Sequence, residues 1–145
     1  MKTINLKDIL SISGKSGLFR YVAQARNGIV VESLDDKKRF VAGVHEKVSS
    51  LEDIAIFTTG EEVPLGQVFL AISEKESGGS AIASKSGNEE LKKYLLEVLP
   101  DYDPERVYVS DIRKLLSWYN ILQEKSLLEV IEKEEETGVE EEKEA

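Results

Sequence analysis

The residues best suited to chemistry come early in the chain. Gly14-Lys15-Ser16 offers the lysine and hydroxyl that a phosphate-binding loop uses to hold a polyphosphate and its magnesium. The complete loop also needs a glycine five residues before Gly14, and Ile9 stands there. It must follow a strand and open a helix, so that amides at the helix start face the phosphates. Here the order is inverted, with a helix expected before the turn and a strand after it. The stretch reads instead as a tight turn in which Gly14 and Gly17 supply permissive backbone. Lys15 remains able to project toward a ligand, and a phosphate-using enzyme working through it is a remote alternative.

Other chemical groups are sparse. His45 is the single histidine and there is no cysteine, so no metal-binding or disulfide framework is available. Carboxylates occur in pairs at Asp35-Asp36, Glu52-Asp53 and Glu61-Glu62. Acid–base work needs at least one such group buried and shifted in pKa, and adjacent residues in turns are usually solvated. No nucleophile elbow accompanies the serines. No catalytic residue, metal ligand or cofactor is therefore expected.

Cations interleaved with aromatic residues are more informative. Phe19, Arg20, Tyr21 and Arg26 fall on one expected hairpin, and Arg39 and Phe40 on the next strand. Small barrels use such sets to bind single strands or RNA or to line peptide grooves. The competing reading makes Phe19, Tyr21 and Phe40 core, since a small barrel has few other large side chains to fill it. Glu32 lies mid-strand, where carboxylates are poor strand formers. It can pair with Arg20 or Arg26 at the surface, or serve a site. The ligand-binding set is accordingly Lys15, Arg20, Tyr21, Arg26, Glu32 and Arg39.

These residues need positioning elements. Asn5 is placed to cap a short helix over residues 6–10, with Asp8 reaching back to it. Asn27-Gly28 suits a type I′ hairpin turn. That turn would pair Arg26 with Ile29, Ala25 with Val30, Ala23 with Glu32 and Tyr21 with Leu34. Asp35-Asp36 reads as a turn and "KRFVAGV" as a third strand. Ser49 with Glu52, or Ser50 with Asp53, forms a capping box for one helical turn, and "IAIFT" is a short strand. Both hairpin faces carry apolar side chains, so the fold class is α+β: a small SH3-like barrel with flanking short helices. Pro64 then opens a helix whose stripe is Leu65, Val68, Phe69 and Ile72. The first domain is placed at residues 1–76.

Residues 77–87, rich in Gly and Ser, read as a flexible linker. A helical unit follows over residues 88–128. Asn88 is expected to cap its first helix, with stripe Leu91, Tyr94, Leu95 and Val98. Pro100 stops that helix, Asp103-Pro104 forms a short turn, and Ser110 caps a longer helix to about Lys125. In this last helix Ile112, Leu115, Leu116, Trp118, Tyr119 and Leu122 span roughly 160°, and Ile121 widens the arc to about 220°. A surface helix needs only about 100°. The helix must be covered on two sides, so Trp118, Tyr119 and Ile121 are interface candidates, toward a protein partner or a second copy. Residues 129–145 read as an acidic tail, disordered for want of anything to bury.

The segments "ISGKSGL", "NGIVVESL" and "SLEDIAI" together resemble a bacterial family of domains of unknown function, found mainly in Bacteroidetes. Its matching positions are Ser13, Gly14, Gly17, Leu18, Asn27, Gly28, Val31 to Leu34 and Leu51 to Ile54. The helical half, around "DYDPERVYVSDIRKLLSWYNIL", looks like the usual companion of that domain. The resemblance implies a two-part layout and brings no activity with it.

The chain of 145 residues carries a net charge of -9. From Glu129 onward nine Glu face two Lys, so that tail holds -7 and the remainder -2. Residues 1–48 lean basic, with nine Lys and Arg against five acidic residues. No stretch approaches the roughly 18 apolar residues of a membrane helix, and a cytoplasmic location is expected. The expected function is a non-enzymatic binding or adaptor module. A protein partner is preferred because the acidic chain repels polyanions, with RNA or single-strand binding by the basic front as the alternative.

Overall fold

The computed structural model describes residues 1–133. The chain begins with β1 (Lys2–Ile4), then β2 (Ile9–Ile12), β3 (Phe19–Ala25), β4 (Gly28–Ser33), β5 (Arg39–Gly43) and β6 (Val48–Ser50). A 3-10 turn, Leu51–Asp53, leads into the short strands β7 (Ala55–Ile56) and β8 (Val63–Pro64). Helices α1 (Leu65–Lys75), α2 (Asn88–Val98) and α3 (Val109–Glu124) follow, and β9 (Val130–Glu132) ends the described chain.

The helix expected over residues 6–10 is not formed. The Asn5 side chain does accept a hydrogen bond from the Lys7 amide, at 3.0 Å, but the result is a turn. Asp8 has φ +66°, which no right-handed helix accommodates, and β2 starts one residue later. The strand suits this sequence because both its sides are covered: Ile9 enters the main core while Leu10 and Ile12 enter a second one. Gly14 and Gly17 both adopt positive φ, as the turn requires.

The main sheet is antiparallel with order β5-β4-β3-β2-β6. Its hairpin forms at the expected place but in another register. Residues 26 and 27 make the corner, so Ala25 faces Gly28, Gln24 faces Ile29 and Ala23 faces Val30. A bulge at Val22 then shifts the pairing by one more residue, setting Tyr21 opposite Val31 and Arg20 opposite Glu32. The physical reason lies in Gly28, which pairs Gly43 of β5. Its φ is +153°, and a Cβ there would come within 1.9 Å of the Ala42 carbonyl oxygen. The glycine permits the close approach of β5 and belongs to the strand instead of the turn.

The mixed α+β class holds, but the closed barrel does not form: among the described residues nothing pairs the outer edges of β5 and β6. The helical turn after β6 appears as expected, without the capping box; no side chain of Ser50 bonds to it. The next strand, β7, leaves the main sheet and pairs only with β8.

The three helices close a core over one side of this framework. The predicted stripe of α1 is wholly buried, and in α3 Ile112, Leu115, Leu116, Tyr119 and Leu122 are buried. These residues share one cluster with Ile4, Leu6, Ile9, Leu18, Leu34 and Leu51, so the helical part docks on the strands. Burying each such aliphatic side chain contributes about 1.5–3 kcal/mol. Caps shift by a residue or two from expectation. Gly87, and not Asn88, precedes α2, and Glu90 reaches back to its amide at 3.3 Å. Tyr108, and not Ser110, precedes α3, with Asp111 accepting from its amide at 2.9 Å. The Asp103-Pro104 turn forms as read, with the Asp103 carboxylate accepting from the Glu105 amide at 2.9 Å.

Residues 77–87 are held against α3. The Tyr119 hydroxyl donates to the Gly79 carbonyl at 2.8 Å, and Asn120 exchanges hydrogen bonds with Ala81 and Ile82 at 2.8 and 3.2 Å. Arg113 donates to the Ser84 and Ser86 carbonyls at 2.9 and 3.3 Å. The start of the expected acidic tail is also structured. Val130–Glu132 pairs antiparallel with Lys2–Ile4, because the β-branched pair Val130-Ile131 gives β1 an edge partner that the charge count concealed. Residues 134–145 lie outside the described part.

Candidate functional site

The ligand-binding residues expected from sequence divide between the two faces of the main sheet. Arg20, Glu32 and Arg39 stand in one cross-strand row, Arg20 opposite Glu32 and Glu32 opposite Arg39. Both arginines are exposed and Glu32 is half-buried. The Arg39 guanidinium lies 3.8 Å from the Glu32 carboxylate, a solvent-exposed pair of the kind that contributes about 0–1 kcal/mol. The row therefore alternates in sign and is no continuous cationic track. Arg26 is at the exposed hairpin corner, apart from it.

The opposite face carries the rings. Phe19 is buried and Tyr21 and Phe40 are half-buried in a small cluster with Leu10, Ile12, Val31 and Ala42. Phe19 meets Phe40 edge to face, with centroids 5.6 Å apart. The rings are thus mainly core. Lys15 places its ammonium 5.2 Å from the Phe40 centroid, an exposed cation–π contact of about 0.5–1 kcal/mol. Its loop joins β2 to β3, so no helix start faces it and the phosphate-loop geometry is missing.

The interface residues of α3 fare differently. Tyr119 is fully buried, packs on Phe69 at 5.8 Å and spends its hydroxyl on Gly79, so it is unavailable to a partner. Burial raises its phenol pKa. Ile121 and Trp118 are half-buried against the core. Trp118 additionally borders a groove of about 230 Å³ between β7 and α3, together with Phe57, Arg106, Lys114 and Leu115.

This groove is built by groups distant in sequence. Phe57, just beyond β7, is exposed. The Arg106 guanidinium sits 4.4 Å from its ring centroid. The same guanidinium donates to the Asp103 carboxylate at 2.9 Å and to the Thr58 carbonyl at 3.1 Å. The Arg106 hydrogen bond, followed by the Glu105 amide, holds the Asp103 carboxyl below the usual carboxylate range. The arginine is therefore fixed in place, with its cation over an aromatic ring at the groove wall. Sequence reading singled out neither Phe57 nor Arg106. The Asp-Pro turn did place Arg106 three residues after its partner, but nothing local brought Phe57 to it. An apolar channel with two aromatic walls and a fixed guanidinium can take a side chain or short peptide segment. It contains no nucleophile–base pair, and no group of metal-ligating side chains occurs among the described residues. No described helix is long and apolar enough to cross a membrane.

Two family models match in tandem: a domain of unknown function (DUF5606) over residues 6–51 and a domain of unknown function (DUF6852) over residues 54–122. They meet at the 3-10 turn that joins the main sheet to β7. No curated protein matches the chain. The solution NMR structure of a Bacteroides vulgatus protein, a structural genomics target, is 48% identical to it. The match covers 86% of this chain and 90% of that one, with a TM-score of 0.73. With both models matched in order, and that identity sustained across nearly all of both chains, the protein belongs to this bacterial family of domains of unknown function.

Proposed function

We propose that the protein is a non-enzymatic binding module whose ligand is another protein, engaged at the groove between β7 and α3. The observation that carries this reading is that Trp118, half-buried, and Phe57, exposed, line one groove with a guanidinium fixed at its wall. Tryptophan and arginine dominate the energetics of protein interfaces, and here Trp118 stands on α3 and Arg106 is held by its hydrogen bonds to Asp103 and Thr58. The proposed setting is the cytoplasm, with which a cysteine-free composition agrees. An SH3-like reading of the main sheet is supported by its strand order, which puts β6 beside β2 although the edges stay apart.

The test is capture of partners from native cytoplasm on the immobilised protein, with and without nuclease, using the parent and Trp118→Ala. Nuclease-resistant capture that the substitution abolishes supports the proposal. Capture indifferent to Trp118 removes it. A second copy as partner would appear as a concentration-dependent mass in light scattering, again lost on Trp118→Ala.

Nucleic acid is the second reading, favoured by Arg20 and Arg39 standing exposed on one face. Glu32 between them and the net charge of -9 count against it. Such binding would weaken steeply with added salt and would fall on Arg20→Ala with Arg39→Ala. The remote phosphate reading through Lys15 ends if calorimetric titration of ATP gives no heat that Lys15→Ala removes.

A further inference from the structure

A second, larger cavity of about 650 Å³ lies between the β1–β9 ribbon, the 3-10 turn, the β7–β8 hairpin and the start of α1; it shares Ile54 and Ala55 with the first groove but is not lined by Trp118. Its floor is apolar: Ile4 and Leu6 are buried, and Ile54 and Val63 are half-buried. Its rim is acidic, carrying Glu52, Asp53, Glu61 and Glu62, all exposed. The first amide of α1 is already used, Leu65 donating to the Ile54 carbonyl at 2.8 Å, and the four rim carboxylates oppose an anion at the remaining amides.

We propose that this cleft takes a basic, amphipathic segment of a protein partner, with apolar side chains on the floor and lysine or arginine at the rim. Charge complementarity identifies the occupant. Two cations of the chain border the cleft, and both are already matched: Lys133 with Glu52 at 3.3 Å, and the Met1 ammonium with Glu132. Asp53, Glu61 and Glu62 make no ion pair among the described residues. The Lys133–Glu52 contact is an internal example of the recognition proposed, an ammonium carried just past the end of β9 and set against the rim. The sequence after Lys133 adds seven Glu and one Lys. It has the sign of the rim, so it is no complement to the cleft.

The test uses the full chain and a synthetic peptide of alternating leucine and lysine, followed by calorimetry and by amide chemical shifts. Binding should move the amides of Leu6, Val63 and Gly66, which line this cleft and not the Trp118 groove. It should weaken about tenfold or more in Glu61→Lys with Glu62→Lys, an exposed pair whose reversal is checked for fold by the same spectrum. Reversal at Glu140 and Glu141 should change affinity by less than about twofold, and Trp118→Ala should leave it unchanged. Four results overturn the proposal: no binding; equal binding of the peptide with glutamate in place of lysine; loss that follows the Glu140 and Glu141 reversal or Trp118→Ala; or affinity indifferent to Glu61 and Glu62.

Discussion

Substitution of Gly66 by alanine sets two physical effects against each other. Gly66 lies in the first turn of α1 and is buried against β1. Replacing an interior helical glycine by alanine gains up to about 1 kcal/mol of helix propensity, less in a first turn. Against this, a Cβ at position 66 would stand 2.2 Å from the Thr3 hydroxyl oxygen and 2.8 Å from the Ile4 carbonyl oxygen. The hydroxyl can rotate away, but the carbonyl belongs to the β1 backbone. Clearing it requires α1 to move off β1 by roughly half an ångström, and overpacking of this kind costs about 1–3 kcal/mol. The clash should win. Gly66→Ala should lower stability by about 1–2 kcal/mol and Tm by roughly 3–8 °C, with the urea m-value unchanged. Thr3→Ala in the same chain removes the first obstacle and leaves the second, so it should restore only part of the loss. Calorimetric scanning and urea unfolding measure both. A Gly66→Ala protein more stable than the parent would show that α1 does not press on β1, and the geometry of the acidic-rimmed cleft would fall with it.

Three further outcomes follow from the same structure. Gly28→Ala should destabilise by more than about 2 kcal/mol, because its Cβ meets the Ala42 carbonyl at 1.9 Å and φ is unfavourable; amide exchange should quicken first along β4 and β5, and unchanged protection there would refute the close strand approach. Tyr119→Phe should cost about 1 kcal/mol by leaving the Gly79 carbonyl without its donor, seen as a lower urea midpoint; no change would mean that water replaces the hydroxyl. The Asp103 carboxyl is lowered by Arg106, so its contribution is present above the ordinary carboxylate value of about 3.9 and is lost as pH falls through the lower folded value. Asp103→Asn should therefore lower the urea midpoint at pH 7 and match the parent in strong acid; a difference that persists at every pH would contradict the ion pair.

Local pattern alone settled much of the architecture. The apolar stripes of α1, α2 and α3, the hairpin corner near Gly28, the third strand and the turn at Leu51–Asp53 are all written in short-range spacing and turn chemistry. The wide apolar arc of α3 correctly implied cover on two sides, because a helix cannot leave so broad a stripe in water. What spacing could not fix was which neighbour meets which face. The Asn27-Gly28 register depended on how closely β5 approaches Gly28, and β2 read as a helix because its two faces are buried by different partners. The strand at Val130–Glu132 depended on an edge offered by residues more than a hundred positions away. The same holds for the candidate sites: Arg20, Glu32 and Arg39 share a row only because the strands align, and Phe57 meets Arg106 only through tertiary packing. Sequence records what each segment can bury and how it can turn, since those preferences act within a few residues. The choice of partner is made by long-range contacts whose free energy appears only when the whole core closes, so the register, the open sheet and both clefts had to be read from the folded chain.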